Sequence, residues 1–206
     1  MQKENARMSE PVFNSALAGA PGADGLSVAM REVADRGMID LRGEGSSAKF
    51  KQAVKSVLGF DLPAKPRTSA SKGPITVLWL SVDQWLVTCA RSDQAKLLAD
   101  LNRALQGIHS LAVDVSDMRS IIRLEGEHVR EVLMKGSSID FTMPEYKAGL
   151  VRRLVFAEIA ALAHIVSEGP DVIDIYVFRS YADYTWKWLR ATSNPKATIG
   201  LFSKAG

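Results

Sequence analysis

Asp171-Val-Ile-Asp-Ile-Tyr-Val-Phe-Arg-Ser-Tyr-Ala-Asp-Tyr-Thr-Trp-Lys-Trp-Leu189 holds a change of period on which the reading of the whole chain turns. In its first half Val172, Asp174, Tyr176 and Phe178 alternate with Ile173, Ile175 and Val177. A period of two in branched and aromatic residues predicts a strand with one face on a core. At Arg179-Ser180 the period lengthens. Ser180 is expected to cap a helix, and Asp183 lies where its carboxylate favours the exposed first-turn amides. Tyr181, Thr185 and Trp188 share the predicted inward stripe. A helix this short cannot point both tryptophans inward, so Trp186 is expected on the outer face. A quieter copy spans residues 85–101, with Arg91-Ser92 at the same switch. The chain reads as built twice.

Working outward, Ile39-Asp-Leu-Arg-Gly-Glu44 and Ile122-Arg-Leu-Glu-Gly-Glu127 can be laid over each other. Each precedes a predicted helix and, later, an Asp after an apolar residue (Phe60-Asp61, Ile139-Asp140). In the first half, two alternating pieces within residues 26–41 flank Ala34-Asp-Arg-Gly37, which reads as a hairpin turn. Ser46 or Ser47 should cap a helix with the stripe Phe50, Val54, Val57 and Leu58, ended by Gly59. Residues 63–74, rich in Pro, Ser and Lys, read as an exposed loop. Strands at 75–80 and 84–89 and a helix at 92–105, buried through Ala95, Leu98, Leu101 and Leu105, complete the unit. Residues 113–118, 121–126, 151–167, 171–178 and 181–191 repeat the plan. The expected fold is α+β: duplicated strand-strand-helix-strand-strand-helix units, about 26–106 and 107–192, in one pseudo-twofold domain with largely antiparallel sheets. Residues 1–25 read as a flexible N-terminal arm, or one ordered only against a partner, and 193–206 as a tail.

Of the 206 residues, 47% are apolar and 24% charged, close to globular averages. A net charge of +3, dispersed along the chain, gives no footprint for nucleic acid. No apolar run approaches the roughly 20 residues that cross a bilayer, and no secretory leader is read, so a cytoplasmic location is expected. The single cysteine, Cys89, excludes an intrachain disulfide and reads as a small buried hydrophobe. His109, His128 and His164 stand in unrelated settings without ligand spacing, which favours structural roles. Neither a dinucleotide nor a P-loop phosphate cradle is written, nor a nucleophile elbow. No catalytic, cofactor-binding or metal-binding residue is therefore expected. Lys135-Gly-Ser-Ser-Ile-Asp140 reads first as a helix end with a C-cap glycine, with an anion-meeting loop as the alternative. An exposed aromatic helix face needs a partner, which makes Arg179, Tyr184, Trp186 and Lys187 the expected subunit interface.

Several blocks taken in order resemble the gamma subunit of heterotetrameric sarcosine oxidase: Trp79-Leu-Ser-Val-Asp-Gln-Trp-Leu86, Val113-Asp-Val-Ser116 running into Ile122-Arg-Leu-Glu-Gly126, Val132-Leu-Met-Lys-Gly-Ser-Ser-Ile-Asp140, and Arg179-Ser-Tyr-Ala182 with Trp186 and Leu189. The resemblance spans roughly residues 26–192. Ser81-Val82 stands where the family has Gly-Pro, Ser137 where Cys is common and Thr142 where His is common. The resemblance implies the fold of the folate-binding domain of the glycine-cleavage T-protein. It also implies a non-catalytic assembly role in a complex that oxidises sarcosine with tetrahydrofolate and O2. Its expected partners are alpha, beta and delta subunits: FAD and FMN on beta, NAD and tetrahydrofolate on alpha, zinc on delta. A gamma-type subunit of N-methylglutamate dehydrogenase is the near alternative. A freestanding T-protein-like folate-binding protein, with Asp140 or Glu158 holding the pterin, is the more distant one.

Overall fold

The computed structural model describes residues 14–200. Residues 1–13 of the expected arm and 201–206 of the expected tail lie outside the described residues.

Among the described residues the alternating segments form ten strands and the helical ones four α-helices. The first half contains β1 (Ala29–Glu32), β2 (Arg36–Gly43), α1 (Ala48–Leu58), β3 (Ser69–Lys72), β4 (Ile75–Ser81), β5 (Gln84–Ala90) and α2 (Arg91–Ala104). The second contains β6 (Ser110–Asp114), β7 (Arg119–Glu125), α3 (Val129–Lys135), β8 (Val151–Phe156), β9 (Ile159–Ser167), β10 (Val172–Phe178) and α4 (Ala182–Thr192). The two halves share one element order, and it holds one strand more per half than expected. In the first half that strand is β3, a polar edge strand inside the predicted loop. It folds back on β4 through a turn at Gly73, whose φ is 57°. The loop composition was a true signal for the turn and hid the strand, since Ser-Ala-Ser-Lys carries no apolar alternation.

Two five-stranded antiparallel sheets result, ordered β1-β7-β10-β9-β8 and β3-β4-β5-β2-β6. Each half lends its first strand to the other half's sheet: β1 pairs with β7, and β6 with β2. The expected hairpin at 34–37 is therefore a crossover. Asp35 takes a φ of 55° and its carbonyl accepts from the Arg91 amide, so the chain leaves one sheet and enters the other. Turn residues specify a change of direction, not whether the two flanking strands pair.

Period-two alternation sorts the side chains into three cores. Ile122, Leu124, Ile173, Ile175 and Val177 pack with Val132, Leu133, Ala182 and Leu189 from α3 and α4. Ile39, Leu41, Val77 and Val87 pack with Phe50, Val54, Leu97 and Leu101 from α1 and α2. Met38, Leu78, Leu80 and Leu86 of one sheet meet Ile121, Val151, Leu162 and Tyr176 of the other. The layers are helices, sheet, sheet, helices.

Local signals place the helices. Ser47 Oγ accepts from the Phe50 amide at 3.3 Å, a cap worth about 1 kcal/mol, and Gly59 closes α1 with a φ of 77°. In α2 and its C-cap, Leu101 and Leu105 are buried as expected and Leu98 packs half-buried on the core, while the first turns bury Gln94 and Leu97 and leave Ala95 exposed. Ser180 does not cap α4. Arg179–Tyr181 form a 3-10 turn first, and α4 begins at Ala182 without a side-chain cap.

Candidate interaction surface

In α4, Ala182, Thr185, Trp186 and Leu189 point inward, at spacings of three, one and three residues. This reverses the expected roles of the tryptophans. Trp186 is 6% exposed, and its indole donates to the Pro21 carbonyl at 2.9 Å. Trp188 is half-buried, edge-on to Phe156 with ring centroids 4.9 Å apart. The physical reason is the arm. Residues 14–25 run along α4: Leu17 is buried in the core beneath it, and Arg190 Nε donates to Gly22 O at 2.8 Å. Composition judged that segment alone, whereas the surface of α4 supplies the apolar area that orders it. Of the expected interface residues, Trp186 is therefore covered. Arg179 donates to Asn14 O, Tyr184 donates to Ala157 O at 3.0 Å, and Lys187 pairs with Asp183 at 2.8 Å on the open face. Tyr181 and Tyr184, one turn apart, are each 44% exposed.

Lys135 is taken up by the fold rather than by a loop ready for an anion. Its Nζ donates to the Thr192 and Ala197 carbonyls at 3.0 and 2.7 Å and lies 3.4 Å from Glu131. Gly136 ends α3 at an ordinary φ of −106°, so its role is space: a Cβ there would sit 2.7 Å from the Trp188 ring. Asp140 accepts from the amide and hydroxyl of Thr142, and Glu158 occupies the β8–β9 turn at a φ of 69°. Both carboxylates are exposed. Cys89 is buried, which pushes its thiol up. His109 is exposed and His128 precedes α3. Among the described residues no group of His, Cys, Asp and Glu could hold a metal ion.

A row of charged residues lies between the sheets, on the inner face of the β7 sheet. One row across it joins Arg123, Asp174 and His164 as cross-strand neighbours. Arg123 grips Asp174 with two hydrogen bonds, Nε at 2.6 Å and NH2 at 2.8 Å. His164 Nε2 lies 2.9 Å from Ser69 Oγ of the opposite sheet. Burial pushes the imidazole down to about 4, against the pull of Asp174 and aided by Arg123. Four residues earlier on the same strand and face, Arg119 has Phe178 as its cross-strand neighbour. Its guanidinium lies over that ring at 4.6 Å, and its Nε is buried without a partner. Burial, then the like charge of Arg153, hold Arg119 below its ordinary value. Arg153 donates to Gln84 Oε1 across the layer at 3.3 Å. Together they line a cleft of about 330 Å3 with Leu80, Ala160, Leu162 and Phe178. An adjoining cleft of about 290 Å3 adds Arg67 and Arg152. Sequence reading missed this site, although Arg119 and Arg123 on one strand face were a visible signal.

Residues 42–195 match the sarcosine oxidase, gamma subunit family. A curated relative named sarcosine oxidase subunit gamma, from Corynebacterium sp. (strain P-1), is 28% identical over 180 residues, covering 87% of this chain and 86% of the relative. One of the same name from Arthrobacter sp. is 27% identical over 180 residues, with the same coverage. A chain of the heterotetrameric sarcosine oxidase from Corynebacterium sp. U-96, solved in complex with pyrrole 2-carboxylate, superposes with a TM-score of 0.80 at 25% identity, covering 90% of this chain and 97% of that one. Glycine cleavage system aminomethyltransferase T from Bartonella henselae shares the fold, with a TM-score of 0.63 at 13% identity over 84% of this chain and 48% of that one. On these matches, which run through both halves of the duplicated fold, the chain belongs to the sarcosine oxidase gamma subunit family.

Proposed function

We propose that the chain is a non-catalytic assembly subunit of a heterotetrameric sarcosine oxidase. The complex would convert sarcosine, tetrahydrofolate and O2 into glycine, methylenetetrahydrofolate and H2O2, with alpha, beta and delta chains as partners. In this reading FAD, FMN, NAD, tetrahydrofolate and zinc are held by those partners, and the setting is cytoplasmic. The observation that carries it is the superposition, over 90% of this chain, on 97% of a chain from a heterotetrameric sarcosine oxidase. The outer face of α4, with Arg179, Tyr184 and Lys187, is proposed as one docking surface; the exposed pair Tyr181 and Tyr184 supports it.

The test is to express the full chain with and without its partners and separate the products by gel filtration. The chain is expected to co-elute with yellow, sarcosine-oxidising material in the first case and to be colourless and inactive in the second. Flavin retained by the chain alone, or full sarcosine oxidation by partners lacking it, would defeat the proposal.

A further inference from the structure

The cleft between Arg119 and Arg153 gathers more positive charge than the chain itself answers. A guanidinium withdrawn from water is normally matched by a carboxylate or phosphate, because leaving it unpaired costs several kcal/mol. Arg123 shows how this protein meets that demand, with a bidentate carboxylate on the next strand. Arg119 has the face of Phe178 and a longer-range pull from Asp40 of the opposite sheet, whose carboxylate is itself bonded to Gln84 at 2.8 Å; neither satisfies the Nε donor. Neither cleft is lined by any Asp or Glu, and among the described residues none of Arg67, Arg119, Arg152 and Arg153 forms a salt bridge. The remaining lining of the larger cleft is Leu80, Leu154, Ala160, Ala161, Leu162 and Phe178, and Val155 on the adjoining edge strand is 66% exposed. Forked donors within apolar walls suit a carboxylate on an apolar stem.

From this we infer that the cleft receives an Asp or Glu side chain from a partner subunit, inserted between Arg119 and Arg153 with apolar neighbours packed on Leu80, Leu162 and Val155. The occupant is a protein carboxylate because the charge is spread over two adjoining clefts flanking an exposed apolar edge, an extended surface rather than a closed pocket. Arg119 supplies the desolvated anchor and Arg153 the gate. Arg67 and Arg152 extend the positive rim towards further acidic residues. The inference rests on the subunit reading above and adds a surface distinct from α4.

The experiment co-expresses the full chain with its partner subunits and measures retention in the complex against NaCl. The variants are Arg153→Glu and Arg119→Gln, with Arg103→Glu on the outer face of α2 as control. Thermal unfolding of each free chain is recorded alongside. Arg153→Glu places a carboxylate beside Arg119 within the chain itself, so the free chain is expected to melt at or above the wild-type temperature. Its assembly is expected to weaken about 30-fold or more, as is that of Arg119→Gln, with a shallower salt dependence; the control should match wild type. Wild-type affinity and salt dependence in both cleft variants would overturn the inference and leave the subunit reading standing. If Arg153→Glu fails to fold, Arg119→Gln decides alone. A wild-type chain that joins no partner overturns both.

Discussion

Arg119 and Arg123 stand four residues apart on one strand, on one face, in one layer of the protein, and are treated in opposite ways. Arg123 faces Asp174 and is locked by two hydrogen bonds in a row that His164 and Ser69 continue to the other sheet. Arg119 faces Phe178 and keeps an unpaired Nε beside a second arginine. Between the two rows lie Ile121, Tyr176 and Leu162, a buried band. One end of the inter-sheet layer is thus finished within the chain and the other is left with excess positive charge. Charge in this layer is therefore not simply tolerated. Where the fold alone must hold, a counter-ion is built in; where it is missing, an external one is implied.

The largest expected effect comes from breaking the finished end. Asp174→Ala leaves Arg123 buried and unpaired, and should cost about 3–5 kcal/mol in chemical denaturation of the free chain. Replacing both partners, Arg123→Met with Asp174→Leu, should recover most of that loss. A double variant as unstable as the single one would mean that the pair is not acting through its charges.

The second effect is a pH dependence. The folded-state value of His164 is depressed to about 4 from an ordinary 6.5, so below pH 6.5 the unfolded chain takes up a proton that the native chain resists. Stability should therefore fall as pH drops from about 6.5 to about 4, by roughly 3 kcal/mol from this group, and stop falling below that. In His164→Gln, urea unfolding at pH 7 and pH 4.5 should show that part of the slope removed. An unchanged slope would assign it elsewhere.

The smallest effect belongs to the unfinished end. Arg119→Met removes a desolvated charge and one cation–π contact, two changes of opposite sign, and should leave the free chain as stable as wild type or up to about 2 kcal/mol more stable. A loss as large as that of Asp174→Ala would erase the contrast between the rows and show that Arg119 is structural.

Much of this architecture was legible along the chain. Alternation in 171–178 located β10, the copy at 39–44 and 122–127 disclosed the duplication, and Ser47 and Gly59 bracketed α1 because caps are local chemistry. What was not legible depended on distant partners. Trp186 faces inward because Pro21, far away in sequence, accepts its indole proton. The residues at 34–37 cross between sheets because β7, not β2, is the partner of β1. The arginine cleft needed the register of β7 against β10 and the approach of Gln84 from the opposite sheet. A dispersed net charge concealed it, since four arginines scattered from residue 67 to 153 converge only in three dimensions.

The exchange of first strands also has a consequence in time. During synthesis, β1 emerges long before β7, its strand partner among the described residues, and β2 has β5 beside it but must wait for β6. The nascent first half therefore carries an unmatched edge and an uncovered apolar face until the second half leaves the ribosome, and pairing over such separations is slow. Chains stalled after residue 106 should be digested readily by protease, and chains stalled with β10 outside the exit tunnel should resist it. In the interval a β1 strand from one nascent chain can meet β7 of a neighbour, so crowded polysomes producing this protein run the risk of strand-swapped dimers that a single finished molecule does not.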